Sequence, residues 1–345
     1  MKTIVFLNLA VLPYHVAVFR AIIARGYRLV VYYNAERTTT SYRAPAVEGL
    51  TLLRNYDYPD AKALYADAAK YKPECVVTAG WINRDYNRVC RKFRKAGVKT
   101  LAVSDTQWRG GRQWLNRLAA PFRHKRWFDY VWAAGILQFD YARHMGFPPS
   151  RILMNCFSGD LDTFLTAPIE EKRARYPKRF LYVGRFVGVK GIDVLLKAWD
   201  MIADKRGWTL ELVGDGPLKE TFRRQYPDVI IKDFMSQEEL IQEVRQSGCF
   251  ILVSRFEPWA LVLQEFAAAG MPIVCTRQCG AAWHFALNGY NGYTVDAEDA
   301  AGTAAAMRRI IGSSDDELVT MSLRSRQLGT AVNPDVVAST LISIL

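Results

Sequence analysis

The stretch that decides the fold reads Phe180-Leu-Tyr-Val-Gly184-Arg185-Phe-Val-Gly-Val-Lys190-Gly191-Ile-Asp-Val-Leu-Leu-Lys-Ala-Trp199. Its apolar start predicts a buried strand, and its end has the spacing of an amphipathic helix. A strand, a turn and a helix in this order form the unit of a parallel α/β sheet. Two lone cations are usually a solvated surface feature. Here Arg185 and Lys190 lie between the strand and the helix start, which favours an anion such as a diphosphate.

A second pattern lies about seventy residues further on and reads Glu257-Pro-Trp-Ala-Leu-Val-Leu-Gln-Glu265. Pro258 suits a helix N-terminus, where the backbone amides of Trp259, Ala260 and Leu261 are able to face a phosphate. Glu265 lies two turns into an apolar helix, where a carboxylate needs polar partners. Those partners are either the vicinal hydroxyls of a ribose or the cations of Arg255 and Arg277, and the sequence leaves both open.

Apolar β-like runs alternate with helical patterns along the whole chain, which favours parallel sheets with helices on both faces. The first half predicts strands at 3–8, 27–33, 50–54, 75–79, 99–103, 129–133 and 151–155, and helices at 13–25, 60–71, 83–96, 112–125 and 136–145. The second half predicts strands at 179–184, 208–213, 229–232, 249–253, 272–276 and 292–295, and helices at 191–203, 216–225, 236–246, 260–269, 299–311, 314–328 and 334–344. We therefore predict an α/β chain with two Rossmann-like, doubly wound domains that face a ligand cleft.

The turn Val213-Gly214-Asp215-Gly216-Pro217 follows one of these strands. Two glycines before a proline predict a tight turn at a helix start. Such a turn exposes backbone against which a nucleotide is able to lie, although any α/β protein contains similar turns.

Charge is distributed unevenly along the 345 residues. Residues 1–160 hold 25 lysines and arginines against 11 acidic residues, whereas residues 161–345 hold 21 against 23. The first half therefore carries a net charge of +14, against +12 for the whole chain, and is expected to meet an anionic partner. The six scattered cysteines resemble buried reduced thiols, and Cys275 and Cys279 match no common zinc spacing, so no metal site is predicted.

Residues 179–311 resemble the donor-binding domain of family-4 glycosyltransferases, which are retaining enzymes of the GT-B fold. The resemblance rests on Val-Gly-Arg-x4-Lys-Gly, Leu-Val-Gly-Asp-Gly-Pro, and Glu257-x7-Glu265 followed by Ala-Ala-Gly-Met-Pro-Ile-Val. It implies an acceptor-binding domain at 1–160, a nucleotide-sugar donor domain at 161–313, and closing helices at 314–345 that pack back on the first domain.

The resemblance also implies roles for the site residues. Arg185 and Lys190 would hold the donor diphosphate, Glu265 the ribose, and Glu257 the transferred sugar. The complete expected donor set is Gly184, Arg185, Lys190, Gly214, Gly216, Glu257, Pro258, Trp259, Ala260, Leu261 and Glu265. The family usually has phenylalanine-glycine where this chain has Trp259-Ala260, so backbone approach to the donor is expected to differ there.

The acceptor side is expected at the ends of two strands of the first domain. Its candidate residues are Pro13, Tyr14, His15, Asp105, Trp108 and Arg109. Asp105 follows the 99–103 strand, where it is placed either to act in catalysis beside Glu257, Lys190 and Arg185 or simply to cap a turn.

A basic stretch with interleaved aromatic residues follows Trp108. Its cations and its central indole are expected to contact an anionic membrane, and they are Arg112, Trp114, Arg117, Arg123, Lys125 and Arg126. A second basic face is predicted on the 83–96 helix, because four cations recur there at helical spacing, at Arg84, Arg88, Arg91 and Lys95. A plainly solvated basic face has the same composition, and no nucleic-acid motif is present.

The resemblance, together with these patterns, implies a metal-independent hexosyltransferase without a cofactor, whose substrates are a UDP- or GDP-sugar and a lipid-linked or saccharide acceptor. The interrupted N-terminal apolar run reads as a first strand rather than as a signal peptide. We therefore expect a cytoplasmic protein, peripheral on the inner face of the plasma membrane, that builds polysaccharide, lipopolysaccharide or glycolipid. The alternatives are a GT-B phosphorylase, a nucleotide-sugar epimerase, or a non-enzymatic binder of anionic surfaces.

Overall fold

The computed structural model describes residues 1–34, 44–159, 161–167 and 169–345. They form two compact units, and the predicted domain boundary at 160 lies within two residues of the division. The first unit comprises Met1–Ser158 together with Val332–Leu345, and the second comprises Gly159–Ala331. The first unit is therefore built from two separate segments of the chain.

The first unit contains a seven-stranded sheet in the order β3-β2-β1-β4-β5-β6-β7, with all neighbouring strands parallel. Its strands are β1 Lys2–Asn8, β2 Tyr27–Tyr33, β3 Leu50–Arg54, β4 Cys75–Thr78, β5 Lys99–Ser104, β6 Tyr130–Ala133 and β7 Ile152–Leu153. Its first helices are α1 Pro13–Ile23, α2 Ala61–Lys70, α3 Arg84–Lys95, α4 Gln113–Ala119, α5 His124–Trp127 and α6 Ile136–His144. Central strands such as β4 are buried along their whole length, as expected for a parallel sheet with helices on both faces.

The second unit contains a six-stranded parallel sheet in the order β10-β9-β8-β11-β12-β13. Its strands are β8 Arg179–Val183, β9 Thr209–Val213, β10 Ile230–Lys232, β11 Cys249–Leu252, β12 Ile273–Thr276 and β13 Gly292–Val295. Its helices are α7 Leu161–Leu165, α8 Glu170–Ala174, α9 Ile192–Asp200, α10 Lys219–Gln225, α11 Gln237–Arg245, α12 Leu261–Ala268, α13 Ala282–Phe285, α14 Ala300–Gly312 and α15 Asp315–Thr330. The last helix of the chain, α16 Pro334–Ile342, belongs to the first unit.

The largest departure from the predicted elements is the helix expected at 112–125. It is divided into α4, a 3₁₀ turn at Ala120–Phe122, and α5. Pro121 explains the break, because proline has no backbone N–H and its ring crowds the preceding turn. The stretch is therefore not one continuous amphipathic helix.

The two closing helices, which were expected to pack together on the first domain, belong to different units. α15 packs along α12 inside the second unit, where Gly329 approaches the α12 backbone so closely that a Cβ would overlap Ala268. α16 packs against α1, and Arg25 pairs with Asp335 at 2.7 Å. Lys99 also donates to the carbonyl of Ile344 at 2.5 Å.

None of the helices in the described ranges is long and apolar enough to cross a membrane.

Candidate functional site

In the second unit, the turns that follow β8 and β9 pack directly on each other. The Phe186 amide donates to the carbonyl of Asp215 at 2.8 Å. A side chain on Gly214 would overlap the carbonyl oxygen of Gly184, and one on Gly216 would overlap that of Phe186. The predicted glycines are therefore required by the close approach of two backbone segments, and they lie at the carboxyl edge of the sheet.

The turn after β8 also packs against the segment that follows β11. Gly191 has a left-handed backbone (φ +67°), and a Cβ there would overlap the carbonyl oxygen of Val253. The Arg255 amide donates to the carbonyl of Val189 at 2.8 Å. Because β8 and β11 are neighbours in the sheet, this packing brings the two sequence patterns together.

The contact that results joins Lys190 to Glu257. The Lys190 Nζ donates to Glu257 Oε1 at 2.5 Å, and both side chains are only about one-seventh exposed, at 15% and 14%. Ser254 Oγ donates to the same carboxylate oxygen at 2.8 Å. Beneath this pair lies the thiol of Cys279, whose pKa is raised to about 12, mainly by burial. The pair therefore forms a partly desolvated cluster in which a cation and a carboxylate are held in fixed positions.

Arg255 and Arg277, the alternative partners considered for Glu265, form ion pairs with other carboxylates. Arg255 contacts Asp193 through two hydrogen bonds of 2.9 and 2.8 Å, which hold the pKa of Asp193 below its ordinary value. Arg277 pairs with Asp296 at 2.7 Å. The contacts to Asp193 make Arg255 a clamp between the first turn of α9 and the loop after β11.

Glu265 lies on α12 beside the start of the second unit. Its methylene group packs so closely on Gly159 that a Cβ at that glycine would overlap it. The neighbouring Gln264 accepts from the Gly159 amide at 2.9 Å and donates to the carbonyl of Gly329 at 3.1 Å. The half-buried carboxylate of Glu265 is thus held on a helix whose neighbours are well defined.

Helix α12 begins at Leu261, one residue later than expected. Ala260 precedes it as the N-cap residue in a left-handed conformation, with φ +78° and ψ +69°. A residue with a Cβ pays roughly 1–2 kcal/mol for this conformation, whereas glycine adopts it freely. Ala260 therefore holds under strain a conformation that a glycine at this position would adopt freely.

The Trp259 side chain, which was expected at the donor, is buried. Its ring packs against His284 and Phe285, with centroids 5.4 and 6.2 Å away. Within the part of the chain that the structure describes, its indole Nε1 has no hydrogen-bond partner. Trp259 therefore supports the site from the protein interior, where it packs against α13. Arg185, by contrast, is exposed at the edge of the sheet.

The first unit has a cavity of about 380 Å³ at the carboxyl ends of β1, β4 and β5. Three of the expected acceptor-side residues line it, namely Tyr14, His15 and Asp105. The other three, Pro13, Trp108 and Arg109, are not among the described residues of its lining. Trp108 instead stacks on His144, with ring centroids 4.2 Å apart.

Two titratable residues that line this cavity, His15 and Asp105, have pKa values shifted from their ordinary values. Burial lowers the pKa of His15 to about 4, and its Nδ1 accepts from the Leu12 amide at 3.0 Å. The neutral ring therefore carries its proton on Nε2 and is a hydrogen-bond donor. Desolvation by the surrounding walls raises the pKa of Asp105, although its side chain remains accessible.

Several residues that build these sites were not predicted from the sequence. Ser254 and the clamp formed by Arg255, which the sequence offered only as a partner of Glu265, lie just before Glu257 at a strand end, and this position is the signal that would have revealed their roles. Trp81 and Phe157 of the cavity lining come from separate segments and carry no such signal.

Residues 177–313 match the family model described as glycosyl transferases group 1. The second unit is a group 1 glycosyltransferase domain. The match confirms the resemblance inferred from the spacing of the two patterns, and it covers the strands and loops that hold Lys190 and Glu257.

Two curated relatives align with the glycosyltransferase domain. The lipopolysaccharide core biosynthesis glycosyltransferase LpsE of Rhizobium meliloti is 31% identical over 170 residues, which are 48% of this chain and 44% of that protein. Glycogen synthase of Mycobacterium tuberculosis is 30% identical over 152 residues, which are 42% of this chain and 36% of that protein. The matched part spans less than half the length of each relative.

A solved structure matches the whole chain. HepE of Anabaena, whose structure was determined in complex with UDP, superposes with a TM-score of 0.76 at 16% identity, over 100% of this chain and 99% of that chain. The likeness shows the fold. Together with the two parallel sheets, it confirms the predicted GT-B class with two Rossmann-like units.

Proposed function

We propose that this chain is a retaining, metal-independent glycosyltransferase. It transfers a sugar from a UDP- or GDP-sugar to a hydroxyl of a lipid-linked glycan at the cytosolic membrane face. The observation that carries this proposal is the 2.5 Å contact between Lys190 and Glu257 inside a group 1 glycosyltransferase domain. HepE binds UDP and LpsE acts in lipopolysaccharide core biosynthesis, which supports a nucleotide-sugar donor and a cell-surface glycan.

The chemistry follows from the positions of the charges. The diphosphate is the leaving group, and Lys190, the exposed Arg185 and the amides at the start of α9 stabilise the negative charge that develops on it. These positive groups supply what a metal ion supplies in other transferases. Glu257 lies beside Lys190 and stabilises positive charge on the sugar ring as the bond to the diphosphate breaks.

Retention follows if the acceptor attacks from the face that the diphosphate leaves. A phosphate oxygen then accepts the proton of the acceptor hydroxyl, so that no separate base is required on the donor unit. Asp105, in the cavity of the first unit, is the group proposed to orient the acceptor hydroxyl. Glu265 is proposed to accept hydrogen bonds from the ribose hydroxyls.

Calorimetric binding of UDP, GDP and ADP, and of their common sugars, tests the donor assignment. Lys190→Ala should weaken binding of the selected nucleotide by roughly 10- to 150-fold, the loss of a hydrogen bond to a charged group, whereas Lys197→Ala, at an exposed lysine of the following helix α9, should leave it unchanged. Nucleotide binding of undiminished affinity in folded Lys190→Ala would contradict the diphosphate site. A product sugar with an inverted anomeric configuration by NMR, or transfer abolished by EDTA and restored by a divalent cation, would contradict the proposed mechanism.

The membrane partner is proposed from the surface of α4 and the following 3₁₀ turn. Four large apolar side chains there are between 52% and 72% exposed, namely Trp114, Leu115, Leu118 and Phe122. The predicted cations around them are also exposed, namely Arg112, Arg117, Arg123, Lys125 and Arg126. Apolar side chains ringed by cations match an anionic bilayer surface, where the former insert and the latter contact headgroups.

Cosedimentation with vesicles tests this surface. The full chain should bind vesicles rich in phosphatidylglycerol and not pure phosphatidylcholine vesicles. Phe122→Ser should weaken that binding, whereas Phe234→Ser, at an equally exposed phenylalanine of the other unit, should not. If the two substitutions reduced vesicle binding equally, the assignment of the α4 surface as the membrane contact would be wrong.

A further inference from the structure

The walls of the first unit's cavity are far more apolar than a sugar ring requires. Phe6, Phe19 and Trp132 are almost completely buried and line it, together with Val18, Val103 and Phe157. A sugar ring carries hydroxyls that must be hydrogen-bonded when they leave water. At about 380 Å³, the cavity lies within the range of ligand pockets, and most of its wall suits hydrocarbon.

The cavity lining also carries several polar groups. Asp105, with the neighbouring Ser104 and Thr106, lies at the carboxyl end of β5, whereas Asn8, Tyr14 and the neutral imidazole of His15 come from β1 and α1. Asp105 is able to accept a hydrogen bond from a hydroxyl, and His15 is able to donate one. The cavity therefore offers hydrogen bonds for one hydroxyl-bearing group and apolar contact for what is attached to it.

An aromatic path links this cavity to the exposed surface of α4. Trp81 lines the cavity and stacks on Tyr141 with ring centroids 5.8 Å apart. Tyr141 lies 6.2 Å from Trp108, and Trp108 lies 5.3 Å from Trp114 on α4. Ile82, which is 83% exposed and is the most exposed large apolar side chain among the described residues, also lines the cavity. These ring contacts connect the cavity wall to α4 through packed side chains, and the exposed Ile82 extends the apolar lining to the protein surface.

We infer that the cavity holds an alkyl or prenyl chain of the acceptor itself, close to the hydroxyl that receives the sugar. This inference rests on the proposed function and narrows its acceptor. The hydroxyl belongs to a lipid or to a short headgroup directly on it, and not to the far end of a long glycan. The enzyme then acts at the first sugar additions, and enzymes that extend a lipid-bound saccharide use its product.

Binding of two probes without a nucleotide tests the inference. Octyl β-D-glucoside, below its micelle concentration, and methyl β-D-glucoside have the same headgroup and differ in their alkyl group. Calorimetry should show the octyl compound binding at least about tenfold more tightly, a ratio that two buried methylenes supply. Equal affinities would overturn the inference.

Filling the cavity should remove this difference. Ala79→Leu and Val103→Phe both add bulk to half-buried positions of the lining, and each should weaken octyl glucoside binding at least tenfold. Ala63→Leu adds the same bulk as Ala79→Leu at a half-buried position of α2 and should leave binding unchanged. Circular dichroism and thermal unfolding show whether each variant is folded, and two independent filling positions guard against a local distortion.

A surface variant separates the cavity from the membrane face. The double variant Leu115→Ser, Leu118→Ser should keep octyl glucoside binding, and loss there with retention in Ala79→Leu would place the chain on α4 and overturn the inference. UDP and GDP binding, measured on the same proteins, reports on the other unit. If the protein binds a nucleotide but binds octyl and methyl glucoside equally, the inference about the cavity is refuted and the proposed function is not. If it prefers octyl glucoside but binds no nucleotide, the proposed function is refuted, and with it the acceptor role of the cavity.

Discussion

Replacing Glu257 with glutamine should strengthen binding of the free nucleoside diphosphate while it slows sugar transfer. In the structure, one Glu257 oxygen receives hydrogen bonds from both Lys190 and Ser254. The carboxylate therefore neutralises the cation that is proposed to hold the diphosphate. Glutamine keeps an oxygen in place for both donors but removes the negative charge.

The size of the effect follows from the geometry and the partial burial of the pair. A carboxylate about 6 Å from a phosphate charge repels it by roughly 0.7 kcal/mol at the dielectric constant of water, and by about 3 kcal/mol at an effective value of 20. Because both side chains keep about one-seventh of their surface exposed, we take the lower part of this range. Binding should then tighten by about 3- to 10-fold.

Lys190→Met is the matched substitution, and it should change nucleotide affinity in the opposite direction to Glu257→Gln. It keeps an unbranched apolar side chain and removes the cation, which costs about 1.5–3 kcal/mol for a hydrogen bond to a charged group, or roughly 10- to 150-fold in affinity. Isothermal titration of UDP and GDP at two salt concentrations measures both variants. Added salt should reduce the advantage of Glu257→Gln, because it screens the repulsion.

The reasoning fails if the two variants weaken nucleotide binding equally. That result would mean that the ion pair positions the loop as a unit and that Glu257 does not oppose the diphosphate. Sugar transfer is assayed separately with the donor that calorimetry selects. A Glu257→Gln variant that transfers sugar at the wild-type rate would show that Glu257 takes no part in the transfer reaction.

Three further substitutions test the structural argument. Ala260→Gly should raise the free energy of unfolding by about 0.5–1 kcal/mol, because it relieves a left-handed alanine, and a lower urea midpoint would contradict this. Gly191→Ala should abolish nucleotide binding in calorimetry, because its methyl group would overlap the Val253 carbonyl, and unchanged binding would show that this turn does not set the site. Burial lowers the pKa of Lys172 to about 7, so the unfolded chain binds more protons than the folded one between pH 7 and 10.5. In urea unfolding at pH 7, Lys172→Met should therefore stabilise the protein by roughly 2–4 kcal/mol, after subtraction of the lost hydrogen bond to the Gly270 carbonyl. This gain in stability should vanish as the pH approaches 10.5, and a gain that does not depend on pH would refute the burial argument.

The order of strands and helices was predictable because each local signal agrees with the parallel-sheet architecture. Apolar runs such as Phe180–Val183 end at glycines, and the helices that follow carry one apolar face. The basic face of α3 shows this well, since Arg84, Arg88 and Arg91 are all exposed while Tyr86 is buried, as the helical spacing requires.

The meeting of Lys190 with Glu257 was only partly predictable. Each residue follows a strand, which places it at the carboxyl edge of a sheet. That β8 and β11 are neighbours depends on long-range pairing, which no local pattern encodes. The inward position of Trp259 depends in the same way on α13, which lies some twenty residues later.

The apolar cavity could not be predicted, because its wall is contributed by chain segments that lie far apart. Trp81 and Phe157 each look like ordinary core residues in their own segments. Their convergence with Asp105 appears only once the strand order is known. The packing of α15 on α12 was likewise missed, since its apolar face carries no information about which surface it covers.

The return of α16 to the first unit sets the order in which the protein is able to fold during synthesis. The helix that ties down α1, and the contact of Lys99 with Ile344, come after about 170 residues of the second unit. At roughly 5–20 residues per second, the ribosome needs on the order of 10–35 s to make that stretch. The second unit, which is continuous, is then complete while the first still lacks its last helix. The first half of the nascent chain therefore waits with part of α1 uncovered, and a chaperone that shields this face would be of use only during that interval.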